Sequence, residues 1–319
     1  MKSPHSITNK ILALYGQITE TLGISKGILP VKPEARLRKQ NRIKTIHSSL
    51  AIEGNTLSVE GITAMVEGKR VVGPKKDIAE VQNAIHAYGL LSELDPFSVD
   101  DFLKAHHALM SGLVEHSGAF RKKEVGILAG KNISHVAPPH DSVPALMRDL
   151  FDYVRHDEDL DVIKSCVFHY EVEFIHPFED GNGRMGRYWQ TRLLMNVNPI
   201  FEYVPVEEAI RNRQNEYYKA LAIADSTGSS TVFIELMLDA ISNSLQKTVK
   251  EAKASAEDYG KRAKRALSAL NGWFDRKEYM SVNKGISQAT ASRDLKRLLD
   301  EETVESSGAG RTTKYRKKQ

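Results

Sequence analysis

His176-Pro177-Phe178-Glu179-Asp180-Gly181-Asn182-Gly183-Arg184-Met185-Gly186-Arg187 is the stretch from which the rest of the chain is read. SCVFHYEVEFI precedes it and RYWQTRLLMNV follows, and both flanks space their apolar residues by three and four, as one face of a helix does. The stretch is therefore a loop between two helices, with the second helix starting in its glycine-rich half. Two glycines around an asparagine at a helix start let backbone N–H groups converge on an anion, and the helix dipole adds to the attraction. Arg184 and Arg187, three apart, lie on neighbouring faces where both can reach the outer phosphates of a nucleotide. Asp180 offers a hard oxygen ligand for Mg²⁺. His176 is the group in the stretch able to take a proton near neutral pH. Each residue alone reads more simply as part of an ordinary helix start with surface arginines. Together they are the parts of a nucleotidyl transfer: a base for an incoming hydroxyl, a metal and amides at the attacked phosphorus, and arginines for the leaving pyrophosphate. The spacing fits neither a Walker loop nor a dinucleotide fingerprint, and no strand precedes it.

Outward from this loop the chain reads as mainly α. Apolar spacing predicts helices near the start (Ile11, Leu12, Leu14, Tyr15, Ile18) and near 75–95, 98–114, 141–156, 160–175, 183–197, 206–225 and 231–257. The exception is KKEVGILAGKNISHVA at 122–137, where two short β-rich runs flank a turn containing Gly130, Lys131 and Asn132, a hairpin pattern stopped by Pro138 and Pro139. Asp141 or Ser142 can cap the helix that follows. With 319 residues, 41% hydrophobic and 27% charged, the chain is long enough for one large domain and a smaller one. The junction falls in the polar helix-forming segment near 250–262, giving expected domains of 1–255 and 256–319. Charge divides the same way, with 15 Lys/Arg against 8 Asp/Glu from Asp258 onward and 30 against 33 before it. The only cysteine, Cys166, excludes an intrachain disulfide and reads as a small core residue. No run approaches the roughly 20 apolar residues of a membrane span, and MKSPHSITNKILALYGQ has no signal-peptide core, so the expectation is a cytoplasmic protein without membrane contact.

HPFEDGNGRMGR matches, at every defined position, the HxFx(D/E)GNGRxxR signature of the Fic family (filamentation induced by cAMP), and the resemblance runs from about residue 37 to 240. Gly118-Ala119-Phe120-Arg121, the hairpin, the paired prolines and Glu216-Tyr217-Tyr218-Lys219-Ala220-Leu221 belong to it. The resemblance implies a helical Fic domain with a core at about 98–240 and a small β-hairpin flap, using ATP and Mg²⁺ to move AMP onto a Tyr, Ser or Thr hydroxyl of a target protein. In that reading His176 is the general base and Asp180 the Mg²⁺ ligand. Asn182 with the amides of Gly181 and Gly183 forms the anion hole for the α-phosphate, Arg184 holds the β-phosphate side and Arg187 the γ-phosphate. Phe178 anchors the loop in the core. Tyr217, Tyr218 and, less directly, Asp225 fall where the family lines its adenine pocket, and plain helix packing accounts for them equally well.

Ser49-Leu50-Ala51-Ile52-Glu53-Gly54 resembles the family's inhibitory motif (S/T)xxxE(G/N), which in one class lies on a helix before the catalytic core, here about 37–54. RLRKQNRIKTIHSSLAI would end at Glu53-Gly54, with Gly54 as the C-cap and the Glu53 carboxylate projecting where the helix stops. Pairing with Arg187 would then put a negative charge where the γ-phosphate belongs. Two like charges about 4 Å apart cost roughly 4 kcal/mol at an effective dielectric of 20, about three orders of magnitude in binding. In some family members this glutamate also helps water remove AMP from modified targets, so Glu53 as a hydrolytic base is a second expectation. The flap's edge strand can pair with an extended target segment.

From about 260 the pattern changes. Ser287–Leu299 places Ala291, Leu295, Leu298 and Leu299 on one side and Arg293, Lys296 and Arg297 on others, as a recognition helix does, and VESSGAGRTTKYR reads as a hairpin turning at Gly308 and Gly310. This resembles a winged helix-turn-helix. DNA is one partner it would suit, while Asp300–Glu302 and Glu305 oppose phosphate, and protein contact or a homodimer is the other use. The alternatives to adenylyl transfer are a DNA-binding regulator that senses nucleotide through its Fic domain, and a Fic transferase of another cargo such as UMP, phosphate or phosphocholine.

Overall fold

The computed structural model describes residues 2–28, 35–129 and 132–318. They divide into two compact units that meet in sequence between Val249 and Lys250, somewhat before the boundary read from composition.

The first unit holds α1 (Asn9–Ile28), α2 (Ala35–Ile52), α3 (Val59–Val66), α4 (Lys75–Leu90), α5 (Val99–Met110), β1 (Gly126–Ala129), β2 (Asn132–Val136), α6 (Val143–His156), α7 (Asp161–Ile175), α8 (Asn182–Val197), a 3-10 turn at Pro199–Tyr203, α9 (Val206–Asn212), α10 (Gln214–Thr227) and the start of α11 (Thr231–Ala269). At its centre α7 packs along α8, and α8 is enclosed nearly all round, from Asn182 to Leu194. A helix so enclosed should be apolar. This one carries two arginines, so each must find a partner inside the protein.

Phe102 organises the core beneath the loop, with ring centroids 5.4 Å from Phe178, 5.2 Å from Trp189 and 5.7 Å from Phe151. Cys166 lies fully buried in the same core, and burial pushes its thiol up to about 12, which leaves it un-ionised at neutral pH. β1 and β2 pair antiparallel, Gly126 opposite Val136 and Ala129 opposite Asn132, with a register irregularity between Ile127 and Leu128. The turn residues Gly130 and Lys131 lie outside the described residues.

Two local expectations are corrected. The helix read over 206–225 is two, α9 and α10, because Arg213 leaves the helical region (φ −125°, ψ 35°) and turns its guanidinium to Glu216 and to Asp239 of α11. Ser142 stands at the N-cap of α6 without making a side-chain cap, since its hydroxyl goes to Asp141 and Pro144 in the first turn lacks the N–H a cap would satisfy.

The second unit contains the rest of α11, α12 (Arg276–Val282), α13 (Gln288–Asp300), β3 (Val304–Ser307) and β4 (Lys314–Lys317) around Phe274, Tyr279, Ala291, Leu295, Leu298 and Val304. Asp275 and Glu278 close a capping box on α12, and Ser287 caps α13. Asp294 is held by Arg262 at 2.6 and 3.0 Å and by the Tyr279 hydroxyl at 3.0 Å. Among the described residues no helix is long and apolar enough to cross a membrane.

Candidate active site

α7 ends at His176, whose backbone is left-handed (φ 50°, ψ 59°). For a residue with a Cβ this conformation costs on the order of 1–3 kcal/mol and persists where the surroundings enforce it. Arg121 enforces it. Its guanidinium, fully buried, donates from Nε to the His176 carbonyl at 2.8 Å, from Nη2 to the Ile175 carbonyl at 3.4 Å and to the Pro138 carbonyl, and from Nη1 to the Lys123 carbonyl at 2.9 Å. Its backbone N–H donates to the Pro177 carbonyl at 2.9 Å. One side chain thus joins the turn at His176 to the chain on both sides of the hairpin.

The loop beyond is closed by its own side chains. Asn182 Oδ1 accepts the Phe178 N–H at 2.8 Å and its Nδ2 donates to the Phe178 carbonyl at 2.9 Å. The side chain expected in an anion hole is therefore spent on shaping the loop, and the amides at the start of α8 are what remain to face an anion. His106 supports the loop from α5. Its Nδ1 accepts the Gly118 N–H at 2.8 Å, which assigns the proton to Nε2, and Nε2 donates to the Asp180 carbonyl at 3.0 Å. Its ring stacks on Phe178 at 3.6 Å, and burial pulls its pKa down to about 4, so it is neutral. Gly181 turns the chain into α8 at φ 87°, where a Cβ would also come within 2.8 Å of the Met110 sulfur.

Arg184 and Arg187 then project from the first turns of α8. Arg184 Nη1 meets Glu80 of α4 at 3.2 Å and its Nη2 meets Asp180 Oδ1, also at 3.2 Å, while its buried Nε–H has no acceptor among the described residues. Arg187 Nη2 meets Glu53 Oε1 at 2.6 Å and the Ser49 carbonyl at 3.1 Å, and its Nε donates to the Ser49 hydroxyl at 3.3 Å. Burial works against the Arg187 charge, but Glu53, Tyr217 and Glu173 more than offset it and raise its pKa. Glu53 reaches this point because α2 stops there. The Gly54 N–H bonds the Ala51 carbonyl at 3.1 Å, the Asn55 N–H bonds the Leu50 carbonyl at 3.1 Å, and Gly54 takes φ 88°, the Schellman pattern.

Gly183 lies where these charges converge. A Cβ there would sit 2.6 Å from Glu53 Oε1, 3.1 Å from Arg187 Nη1 and 3.3 Å from Glu173 Oε1. Glu173 is the second carboxylate of the cluster, three residues before His176 on α7. Burial pushes it up to about 7, Arg187 opposes the rise and Glu53 adds to it. It accepts the Tyr217 hydroxyl at 2.9 Å, and that oxygen also lies 3.0 Å from His169 Nε2. Of the expected adenine-pocket pair, Tyr217 is 1% exposed with its hydroxyl committed inward, and Tyr218 is 46% exposed with its ring 5.3 Å away. Asp225 accepts the Tyr170 hydroxyl at 3.0 Å. One fold element thus gathers His176, Asp180, Gly181, Asn182, Gly183, Arg184 and Arg187, and α2 brings Glu53 and Ser49 to them.

Among the described residues no three His, Cys, Asp or Glu side chains are grouped to hold a metal by themselves. Asp180, half-exposed, fits an ion that takes one carboxylate together with substrate phosphates, as Mg²⁺ does.

Sequence reading missed Glu80, Glu173 and His106, and saw Arg121 only as part of a motif. Glu173 carried a usable signal, one helical turn before His176. Glu80 carried none, since KKDIAEVQ reads as a surface helix with an i,i+4 ion pair to Lys76.

Residues 96–194 match the Fic/DOC family. Protein adenylyltransferase fic-1 of Caenorhabditis elegans is 26% identical over 70% of this chain and 44% of its own length. A probable protein adenylyltransferase of Aquifex aeolicus, aq_aa38, is 31% identical over 40% of this chain and 45% of its own. The chain thus spans about half the length of the curated relatives it matches. Among solved structures, residues 134–508 of C. elegans Fic-1 share the fold, with a TM-score of 0.63 at 21% identity over 76% of this chain and 74% of that one. The crystal structure of a Fic family protein from Desulfovibrio desulfuricans G20 superposes with a TM-score of 0.73 at 39% identity, over 100% of this chain and 98% of that chain. Identity at that level from one end to the other extends well past the signature loop, and the chain belongs to the Fic family.

Proposed function

We propose that this chain is a protein adenylyltransferase, transferring AMP from ATP to a Tyr, Ser or Thr hydroxyl of a target protein, and that Glu53 holds it inactive. The observation that carries the reading is the gathering of His176, the amides at the start of α8, Arg184 and Arg187 around one helix N-terminus. The relatives named as adenylyltransferases support it.

In this mechanism the target hydroxyl loses its proton to His176 as its oxygen bonds to the α-phosphorus of ATP. The bond from the α-phosphorus to the bridging oxygen breaks, and pyrophosphate leaves against Arg184 and Arg187. The strained His176 backbone, fixed by Arg121, keeps the base at one place. Asp180 would hold Mg²⁺ together with phosphate oxygens, and the ion would neutralise charge on the triphosphate. Two buried arginines suit a triphosphate that leaves pyrophosphate and favour AMP over phosphocholine.

Glu53 stands against this chemistry. Its carboxylate takes the Arg187 Nη2 that the γ-phosphate needs, at 2.6 Å. Glu53 is partly solvated, so the like-charge cost of roughly 4 kcal/mol at 4 Å is an upper figure. Incubating the wild type, Glu53→Gly and Glu53→Gly/His176→Ala with Mg²⁺ and ATP labelled at the α- or the γ-phosphate tests the reaction. The expected result is α-label on protein with Glu53→Gly alone. Protein label from γ-ATP would mean phosphate transfer and would contradict the proposal.

The C-terminal unit has a reading of its own. α13 beside the β3–β4 hairpin, with Lys296, Lys314 and Lys317 exposed, supports docking on DNA phosphates. The Arg297–Glu301 and Arg316–Glu305 pairs reduce the charge available for it. Duplex affinity falling steeply with salt would bear this out, and its absence at low salt would leave protein contact as the use.

A further inference from the structure

A guanidinium as buried as Arg184 must be paired, and one of its two carboxylate partners is a residue that no motif contains. Glu80, in the middle of α4, is 5% exposed, as is Arg184, and its Oε1 lies 3.2 Å from Nη1. The other Glu80 oxygen accepts Asn55 Nδ2 at 2.8 Å. Asn55 is fixed on every side: Nδ2 also donates to the Asp77 carbonyl at 3.1 Å, Oδ1 accepts the Leu57 N–H at 3.1 Å, and the backbone N–H bonds the Leu50 carbonyl at 3.1 Å. This asparagine is the second residue after Glu53 and closes the turn that carries it. The other charges near Glu80 are Asp180, across Arg184, and Lys76, 3.9 Å away and exposed.

Glu80 resembles Glu53 in chemistry and differs in freedom. It is 5% exposed with its second oxygen held by Asn55, and its neighbours Val81 and Ala84 are in the core, so it has less room to leave Arg184 than Glu53 has to leave Arg187. We propose that Glu80 is the positioning residue of Arg184, aiming its free Nε–H and remaining Nη hydrogens at the phosphates, and that Asn55 holds Glu80 in turn. The turn that carries the inhibitory glutamate is then also part of the frame of the nucleotide site. Displacing the Glu53 side chain frees Arg187 and leaves Arg184 aimed. The inference rests on the nucleotide reading above and names a residue that reading does not use.

The test uses the full chain with Glu53→Gly and His176→Ala as parent, so that binding is read without turnover. Dissociation constants for ATP, pyrophosphate and AMP are measured for the parent, Glu80→Gln, Arg184→Ala and the double variant. Losing one charged partner should weaken ATP and pyrophosphate about tenfold and leave AMP within about twofold. The double variant should bind no worse than Arg184→Ala alone, because Glu80 acts through Arg184. Should Glu80→Gln fold poorly, Asn55→Ala keeps the carboxylate and should show the same ATP-selective loss at about threefold. Equal losses for AMP and ATP, additive losses in the double variant, or unchanged or tighter ATP binding would overturn the inference. A parent that binds neither ATP nor pyrophosphate overturns the nucleotide reading and this inference with it; a parent that binds both, with no cost from Glu80→Gln, overturns the inference alone.

Discussion

Arg184 and Arg187 stand three residues apart on one buried helix, and each meets a carboxylate from a distant part of the chain, but the two carboxylates are held very differently. Glu80 is 5% exposed within a helix, whereas Glu53 is 31% exposed at a helix end, one residue before a left-handed glycine. A carboxylate inside a packed helix is a permanent support. One at a partly solvated helix end can be displaced by moving its own side chain. The lesson is that the strength of a salt bridge says less about its role than what its partner would have to move to break it.

The comparison can be broken most severely at Arg187. Arg187→Ala removes the target of the brake and the proposed ligand of the γ-phosphate together, so label transfer should be abolished, and adding Glu53→Gly should restore none of it. Activation by Arg187→Ala alone would mean that Arg187 belongs to the brake only. Glu53→Asp shortens the reach by one methylene and keeps the charge. It should release part of the inhibition, about tenfold in labelling rate, and no change from wild type would show that proximity of charge suffices. Ser49→Ala removes one contact while Glu53 and the Ser49 carbonyl still hold Arg187, so activation should stay at about twofold to threefold; a release as large as that of Glu53→Gly would move the centre of the brake to Ser49.

The smallest effect is on stability. Glu173 is pushed up to about 7, so between its ordinary carboxylate value and 7 the folded protein binds a proton that the unfolded chain does not. That contribution is full below the ordinary value and is lost as pH rises through 7. Glu173→Gln, which imitates the protonated form, should therefore gain in Tm over its parent by a few degrees between pH 6 and pH 8, at roughly 2–4 °C per kcal/mol. His106 and His169, drawn down to about 4 and about 3 by burial, act in the opposite direction in both proteins and cancel in the difference. Glu53 raises Glu173, so the difference should shrink in a Glu53→Gly background. A difference that is flat with pH would show that Glu173 holds no proton there.

Much of this site could be read from the sequence because its parts are local. Twelve consecutive residues supply the histidine, the acidic residue, the glycines and both arginines, and a helix start forces them together. Glu53 was legible through its resemblance to the family's inhibitory motif ahead of the loop, and Gly54 then marked where the helix carrying it stops. Glu80 and His106 were not, since their roles depend on where α4 and α5 pack against α8, and nothing in their neighbours marks them. The side-chain part of Asn182, which closes the loop on Phe178, could not be read because it depends on how the loop folds back on itself. The break between α9 and α10 was hidden because it falls at Arg213, whose partners Glu216 and Asp239 are ordinary helix residues in the sequence, and no Gly or Pro marks it.

The central claim, that Glu53 holds the proposed transferase inactive through Arg187, is tested most directly by the rate at which wild type and Glu53→Gly transfer label from α-labelled ATP to protein at equal concentration. The account predicts a rate at least about a hundredfold higher for Glu53→Gly, allowing for solvation of the glutamate. Equal rates, with both proteins folded and binding ATP, would contradict it.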